Sequence, residues 1–232
     1  MYLKGFILFL IAYLIGAIPT GLILTKLFLK QDVRKIGSGS TGATNVLRTG
    51  SKLLAFMTLL IDALKPYFAV FAVHFAMKKL FGGIITYGAY GLYSEYITMV
   101  VCGIAIFAHC FPIYLKFKGG KGVATAFGTL FLFSKHIEFL GISWAVLPLA
   151  GLGTWLTVAF ISKKSSLSAL ITALILPVYV YYLNDLSSPA STYLVYFYIG
   201  VVVFVILRHT SNIKRLISGT ESNIKLHKDE NK

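Results

Sequence analysis

The run from Gly5 to Thr25 carries no charge and is bounded by Lys4 and Lys26. Crossing the bilayer core takes about 20 mostly apolar residues in a helix, because no water is there to satisfy backbone groups. The pattern recurs. Leu53 to Met77 is apolar apart from Asp62, Lys65, Pro66 and His74, and Ile97 to Leu115 carries His109 and Pro112. Phe139–Ser162, Leu167–Leu183 and Leu186–Leu207 complete the strong segments. Gly122 to Ser134 is apolar but short, and reads either as a tilted span or as a re-entrant half-helix. Only 13% of the residues are charged and 57% are hydrophobic, where a soluble domain has about 25% charged. A soluble globular domain and a disordered chain are both excluded. Gly5–Thr25 is too long for a signal-peptide core and no small-residue cleavage site follows, so it reads as a retained first span.

Charge placement gives the topology. With Gly122–Ser134 as a span there are seven transmembrane helices. One side then holds Lys26 to Lys52, Lys116, Lys118, Lys121, Lys163, Lys164 and the basic residues from Arg208 onward. The other side holds only Lys4, Lys78, Lys79 and Lys135. Basic loops stay in the cytoplasm, so the N-terminus is expected outside and the C-terminus inside. The net charge of +14 is thereby assigned to inner loops, not to nucleic-acid binding. No internal repeat is evident. Residues 1–220 read as one all-α polytopic membrane domain, and 221–232 as a polar, mobile tail. Cys102 and Cys110 share one apolar stretch and frame no disulfide scaffold. His74, His109, His136, His209 and His227 lack metal-ligand spacing, so neither metal nor cofactor is expected.

The chemistry gathers in the inner loops. Gly37-Ser-Gly-Ser-Thr-Gly-Ala-Thr-Asn45, with Arg48 close behind, offers glycines that permit close backbone approach and an anion nest. Ser38, Thr44 and Asn45 add donors, and Arg48 a phosphate-matched fork. A flexible polar linker explains the same composition. Lys116-Phe-Lys-Gly-Gly-Lys-Gly-Val-Ala-Thr125 opens a helix, whose N-terminus favours anions beside Lys118, Gly119, Gly120 and Lys121. The plainer reading is a positive-inside turn. Arg208-His209-Thr-Ser-Asn212 projects broadly one way from a helix, and also reads as a basic stop-transfer end. Asp62 and Lys65, three apart, pair on one helix face, with a bracing role favoured over substrate contact. A one-sided cluster suits an enzyme that meets a soluble substrate at the inner surface. The rival is a membrane carrier or channel for organic phosphate anions, which places its site nearer the midplane. A third reading is a lipid-binding membrane protein whose loops simply obey the positive-inside rule.

Together these stretches resemble the bacterial integral-membrane acyl-phosphate:glycerol-3-phosphate acyltransferases. The family's D-[IV]-R-x-x-G-S-G-N-x-G-A-T-N-x-x-R stands here as Asp32-Val-Arg-Lys-Ile-Gly-Ser-Gly-Ser-Thr-Gly-Ala-Thr-Asn-Val-Leu-Arg48. D-x-x-K-G stands as Asp62-Ala-Leu-Lys65-Pro66, and G-H-x-F-P as Ala108-His-Cys-Phe-Pro112. K-F-K-G-G-K-G-V-A-T is intact from Lys116 to Thr125, and R-H-x-x-N-I-x-R-L-x-x-G-T-E from Arg208 to Glu221. Order and spacing match from about Ile18 to Glu221.

The resemblance implies seven membrane helices with the N-terminus outside, in the inner (plasma) membrane, and an active site facing the cytoplasm. It implies transfer of a fatty acyl group from acyl phosphate to glycerol 3-phosphate, giving lysophosphatidic acid and inorganic phosphate. It further implies that Ser38, Thr44, Asn45, Arg48 and Lys121 hold the phosphates. Ser166, His209 and Asn212 bind or orient glycerol 3-phosphate, and a substrate phosphate takes the hydroxyl proton. Membrane lipid and the enzyme that supplies acyl phosphate are the expected partners. The departures are Ser40 for Asn, Pro66 for Gly, Lys164 for an aromatic residue and Ala108 for Gly. Ser166 lies in Lys163-Lys-Ser-Ser-Leu167, where the family has basic–aromatic–x–Ser–Leu.

Overall fold

A computed structural model describes residues 2–80, 91–134, 146–183 and 189–224. The first residues of the expected Phe139–Ser162 and Leu186–Leu207 segments, Lys135 and residues 225–232 lie outside these ranges. Among the described residues the chain is helical, with no strand. In order the helices are α1 (Tyr2–Gly16), α2 (Thr20–Leu29), α3 (Ala43–Leu47), α4 (Lys52–Leu80) and α5 (Gly91–Cys110). They continue as α6 (Val123–Phe133), α7 (Val146–Ser162), α8 (Ser165–Leu183), α9 (Pro189–Arg208) and α10 (Thr210–Ile217). Short 3-10 turns occupy Val33–Lys35 and Ile113–Leu115.

The packing is inverted relative to a soluble bundle. Phe6, Phe68, Phe71, Tyr182 and Val203 point outward, while Ala12, Ala69, Val73, Val101 and Ala105 fill the contact between α1, α4 and α5. Small residues let helices approach where lipid removes the hydrophobic drive between them. Among the described residues, four helices are long and apolar enough to cross a membrane, and the α1–α2 pair makes a fifth if its bent halves form one span. The expected first span is thus broken, with a bend of 41°. Pro19, just before α2, has no N–H to donate back into α1. α6, with 11 residues, reaches only about 16 Å at ~1.5 Å per residue, half of the ~30 Å core.

α4 sits at the centre, against α1, α2, α3, α5 and α6. It continues through Pro66. One of its turns holds several neighbours. Lys65 Nζ lies 2.6 Å from Asp62 Oδ1 and donates to the Ile18 carbonyl at 2.6 Å, at the α1–α2 break. His109, on α5, comes within 3.3 Å of the same Nζ through Nδ1. Gly128 of α6 lies so close to the Ala63 carbonyl that a Cβ there has no room. Gly128→Ala therefore overpacks a contact made by backbone, at a cost of about 1–3 kcal/mol. The thermal midpoint of the detergent-solubilised protein should fall by about 2–4 °C per kcal/mol. An unchanged midpoint would count against this contact.

Candidate active site

The connections after α2, α5, α7 and α9 emerge at one end of the molecule, where they touch one another. Three loops and two helix starts converge there. The Gly37–Asn45 stretch is folded around the side chain of Asn45, which is 2% exposed. Its amide nitrogen donates to the carbonyls of Val33, Ile36 and Ser40 at 2.8–2.9 Å. Its Oδ1 accepts the Ser38 N–H at 3.1 Å. Gly37 and Gly39 take positive φ values of 52° and 70°, as the glycine pattern suggested. Ser40, in place of the resembling family's Asn, accepts the Gly42 N–H at 3.3 Å and closes a small turn.

The second loop turns back onto the end of α5. The Gly119 N–H donates to the Cys110 carbonyl and the Gly120 N–H to the His109 carbonyl, both at 3.1 Å. Gly122, at φ 80°, starts α6. The N–H groups of Gly39, Gly119 and Gly120 are thus taken within the protein, Gly39 by the Ile36 carbonyl. They hold the loops and are not turned toward an anion. Side chains of both loops stand ready to meet one.

Those side chains line a cavity of about 340 Å³: Ser38, Gly39 and Ser40 from the first loop, Phe117, Lys118, Gly119 and Lys121 from the second, and Leu207, Arg208, Thr210 and Ser211 from the α9–α10 junction. Among the described residues, no acidic one lines it. Lys121 Nζ donates to Asn212 Oδ1 at 2.6 Å. Asn212 Nδ2 donates to Glu221 Oε1 at 2.6 Å, as does the Ser166 hydroxyl. Arg215 Nε donates to Glu221 Oε2 at 2.6 Å. Burial pushes the Glu221 carboxyl up, and the hydrogen bonds from Ser166, Asn212 and Arg215 outweigh it, leaving it below the usual carboxylate range. Burial brings Lys121 down to about 8, with Glu221 opposing and Arg215, Arg48 and Arg208 assisting. Burial and the nearby Lys121 likewise bring His209 down to about 4. The imidazole is therefore neutral at pH 7. Its Nδ1–H donates to the Val205 carbonyl at 2.8 Å, so Nε2 is the acceptor.

The sequence-derived residues thus divide. Ser38, Gly39, Lys118, Gly119 and Lys121 line the cavity. Gly120, His209 and Asn212 adjoin Lys121 or its loop, and Ser166 stands behind them on Glu221. Gly37 packs against the Arg48 guanidinium. Arg48 itself is exposed and donates to the Ser222 hydroxyl at 2.6 Å. Thr44 is exposed too, 3.2 Å from the Ser165 hydroxyl. Two residues were underrated. Arg208 donates to the Gly120 carbonyl at 3.0 Å and stands 4.7 Å from the Phe111 ring centroid. Glu221, placed by sequence at the start of a mobile tail, is 8% exposed and joins α8 to α10. Lys164 Nζ donates to its carbonyl at 2.7 Å, and the Ile224 N–H to the Lys163 carbonyl at 2.7 Å. The Gly219-Thr-Glu221 that closes the last motif was the available signal.

Comparison with known proteins agrees with this geometry. The glycerol-3-phosphate acyltransferase family model matches residues 6–219. A glycerol-3-phosphate acyltransferase of Mesorhizobium japonicum is 43% identical over 223 residues, covering 95% of this chain and 96% of the relative. The crystal structure of PlsY (YgiH), an integral membrane glycerol 3-phosphate acyltransferase, in its glycerol 3-phosphate form superposes with a TM-score of 0.71 at 26% identity, covering 94% of both chains. Its lysophosphatidic acid form gives 0.69 at the same identity and coverage. With the match running through every loop of the cavity, the chain belongs to the glycerol-3-phosphate acyltransferase family of integral membrane enzymes.

Proposed function

We propose that this protein transfers a fatty acyl group from acyl phosphate to glycerol 3-phosphate, giving lysophosphatidic acid and inorganic phosphate. The carrying observation is the basic cavity in which Ser38, Lys118, Lys121 and Arg208 meet from three separate stretches of chain. Two phosphates must approach each other there. Lys118, Lys121 and Arg208 offset their repulsion, and Ser38 adds a donor. Arg48, exposed nearby, draws the anions in by its field. Thr44 and Asn45 act by holding the first loop, and Ser166 and Asn212 by holding Lys121.

The glycerol hydroxyl attacks the acyl carbon. A new ester C–O bond forms, the bond from acyl carbon to phosphate oxygen breaks, and phosphate leaves with the electron pair. The proton passes to a phosphate oxygen. Neutral His209, buried behind the cavity wall, supports the site from beside Lys121. Much of the acceleration comes from approximation of two bound reactants. The donor's acyl chain lies in the apolar groove of about 370 Å³ between α5 and α9, lined by Gly103, Phe107, Gly200 and Phe204 among others. Phe204 is one helical turn below Arg208, which lines the polar cavity, so tail and head group share one path.

We infer seven spans, counting the segment ending in α7 and the short α6, which by itself covers half of the core, with the N-terminus outside and the cavity open to the cytoplasm. The basic loops at the cavity end support that orientation. Residues 1–220 work as one membrane unit to which Glu221 is tied, the remaining tail being accessory. The membrane is the inner (plasma) membrane, and the enzyme that makes acyl phosphate is the natural partner.

The test is phosphate release by purified protein in lipid, given hexadecanoyl phosphate and glycerol 3-phosphate. Release should need both substrates and match lysophosphatidic acid mole for mole. Release from the donor alone, or none from folded protein, would overturn the reading. Lys121→Ala should lower kcat/KM for glycerol 3-phosphate by roughly 100-fold or more, as removal of a preorganised charge does. Near-normal kcat/KM would exclude Lys121 as the clamp.

Lys121 at about 8 also sets a pH limb. The ammonium binds phosphate and the free amine does not, so kcat/KM for glycerol 3-phosphate should fall as pH rises through about 8. Lys121→Arg should move that limb upward, and an unmoved limb would assign it elsewhere. A side chain at Gly200 would meet nothing within 4 Å and would enter the groove. Gly200→Leu should therefore cut kcat/KM for hexadecanoyl relative to decanoyl phosphate by about 10-fold. An equal loss for both would place the chain outside this groove.

A further inference from the structure

Three ionisable side chains, Asp62, Lys65 and His109, are buried together beneath the Lys121 loop, each 6% exposed or less. Asp62 and Lys65 already neutralise each other, and Lys65 also serves the Ile18 carbonyl. The pair leaves His109 unexplained. Its Nδ1 lies 3.3 Å from Lys65 Nζ and 3.6 Å from Asp62 Oδ1. The opposite edge of the ring faces Gly120, where an added Cβ would collide with Nε2. Gly120 has no backbone reason to be glycine, for it is not among the positive-φ residues. It is glycine because the ring occupies the space.

We propose that the His109 imidazole, held in place by Asp62 and Lys65, is the floor on which the Gly119–Gly120 turn rests, and so a positioning residue for Lys121. The backbone completes the seat, since the Gly120 N–H donates to the His109 carbonyl. Lys121 is the next residue, and its ammonium reaches Asn212. Raising the turn by a methyl group lifts the lysine off its register, and a shift of about 1 Å can cost 100-fold in a positioned site. The buried pair is thereby coupled to the phosphate clamp through one ring, without touching substrate.

The test is a double-mutant cycle of Gly120→Ala and His109→Ala. Calorimetric binding of glycerol 3-phosphate to the full-length protein in detergent is measured beside KM and kcat in lipid. Gly120→Ala alone should weaken binding and raise KM more than it lowers kcat. His109→Ala frees the space for the methyl group, so the double variant should recover roughly 10-fold over Gly120→Ala, as residues in contact do. Losses that multiply in the double variant, or a Gly120→Ala that binds like the unmodified protein, would overturn the proposal. If Gly120→Ala does not accumulate folded, its recovery in the His109→Ala background supports the floor, and continued misfolding refutes it. The proposal rests on the acyltransferase reading for its turnover readout alone. An unmodified protein that binds glycerol 3-phosphate but forms no lysophosphatidic acid sinks that reading, while the binding cycle still decides this one.

Discussion

The buried ion pair between Asp62 and Lys65 is the contact on which the molecule's architecture turns. Taking two charges into a low-dielectric interior costs several kcal/mol per ion, repaid only where geometry and further hydrogen bonds are good. Here the repayment is spread over neighbouring elements. The Lys65 ammonium neutralises Asp62 and joins the Thr20 N–H on the Ile18 carbonyl, where α1 breaks before Pro19. The next residue of the same turn, Ala63, offers the backbone surface onto which Gly128 of α6 fits. α6 starts at Val123, with Gly122 alone between it and Lys121. The short helix that opens the anion site is therefore fixed by an ion pair deep in α4, and the loops are free to carry chemistry.

The membrane class was legible because hydropathy is averaged over many residues and needs no tertiary information. Leu53–Met77 and Leu167–Leu183 fall within α4 and α8 for that reason. Local geometry was not legible in the same way. Gly5–Thr25 reads as one apolar run, yet Pro19 divides it, and the Ile18 carbonyl at the break is met both by the Thr20 N–H at 3.0 Å and by Lys65, 47 residues away in sequence. A proline in an apolar run is compatible with a kinked helix or a broken one, and only the partner decides. Pro66 shows the other outcome: α4 passes through it without interruption.

In the site, residue types were legible and their divisions of labour were not. Glycine-rich loops beside lysines suggested backbone N–H groups aimed at phosphate. The same glycines instead bring backbone against backbone, Gly119 on the Cys110 carbonyl and Gly120 on the His109 carbonyl. Asn45 looked like a phosphate donor, but three loop carbonyls take its amide. Both uses require glycine or an amide at the same position, so the pattern alone does not separate them. Glu221 was overlooked for a different reason. A single acid near a basic C-terminus resembles a solvated tail until Ser166, Asn212 and Arg215 are seen to converge on it.

That convergence answers an electrostatic difficulty. A cavity built to receive phosphates gathers cations, and gathered cations discharge one another. Burial, aided by Arg215, Arg48 and Arg208, already lowers Lys121 to about 8. Without a nearby anion the lysine would be lowered further and would hold its proton less firmly in the empty site. An acid in the cavity itself would repel the substrate. Glu221 resolves the conflict by distance: it supports Lys121 through the Asn212 amide, which accepts from the lysine and donates to the carboxylate. Its own charge is screened by Arg215 on the far side, 2.6 Å from Oε2. The lysine stays charged and oriented, the cavity wall stays free of acid, and arriving phosphate meets positive charge that needs little rearrangement.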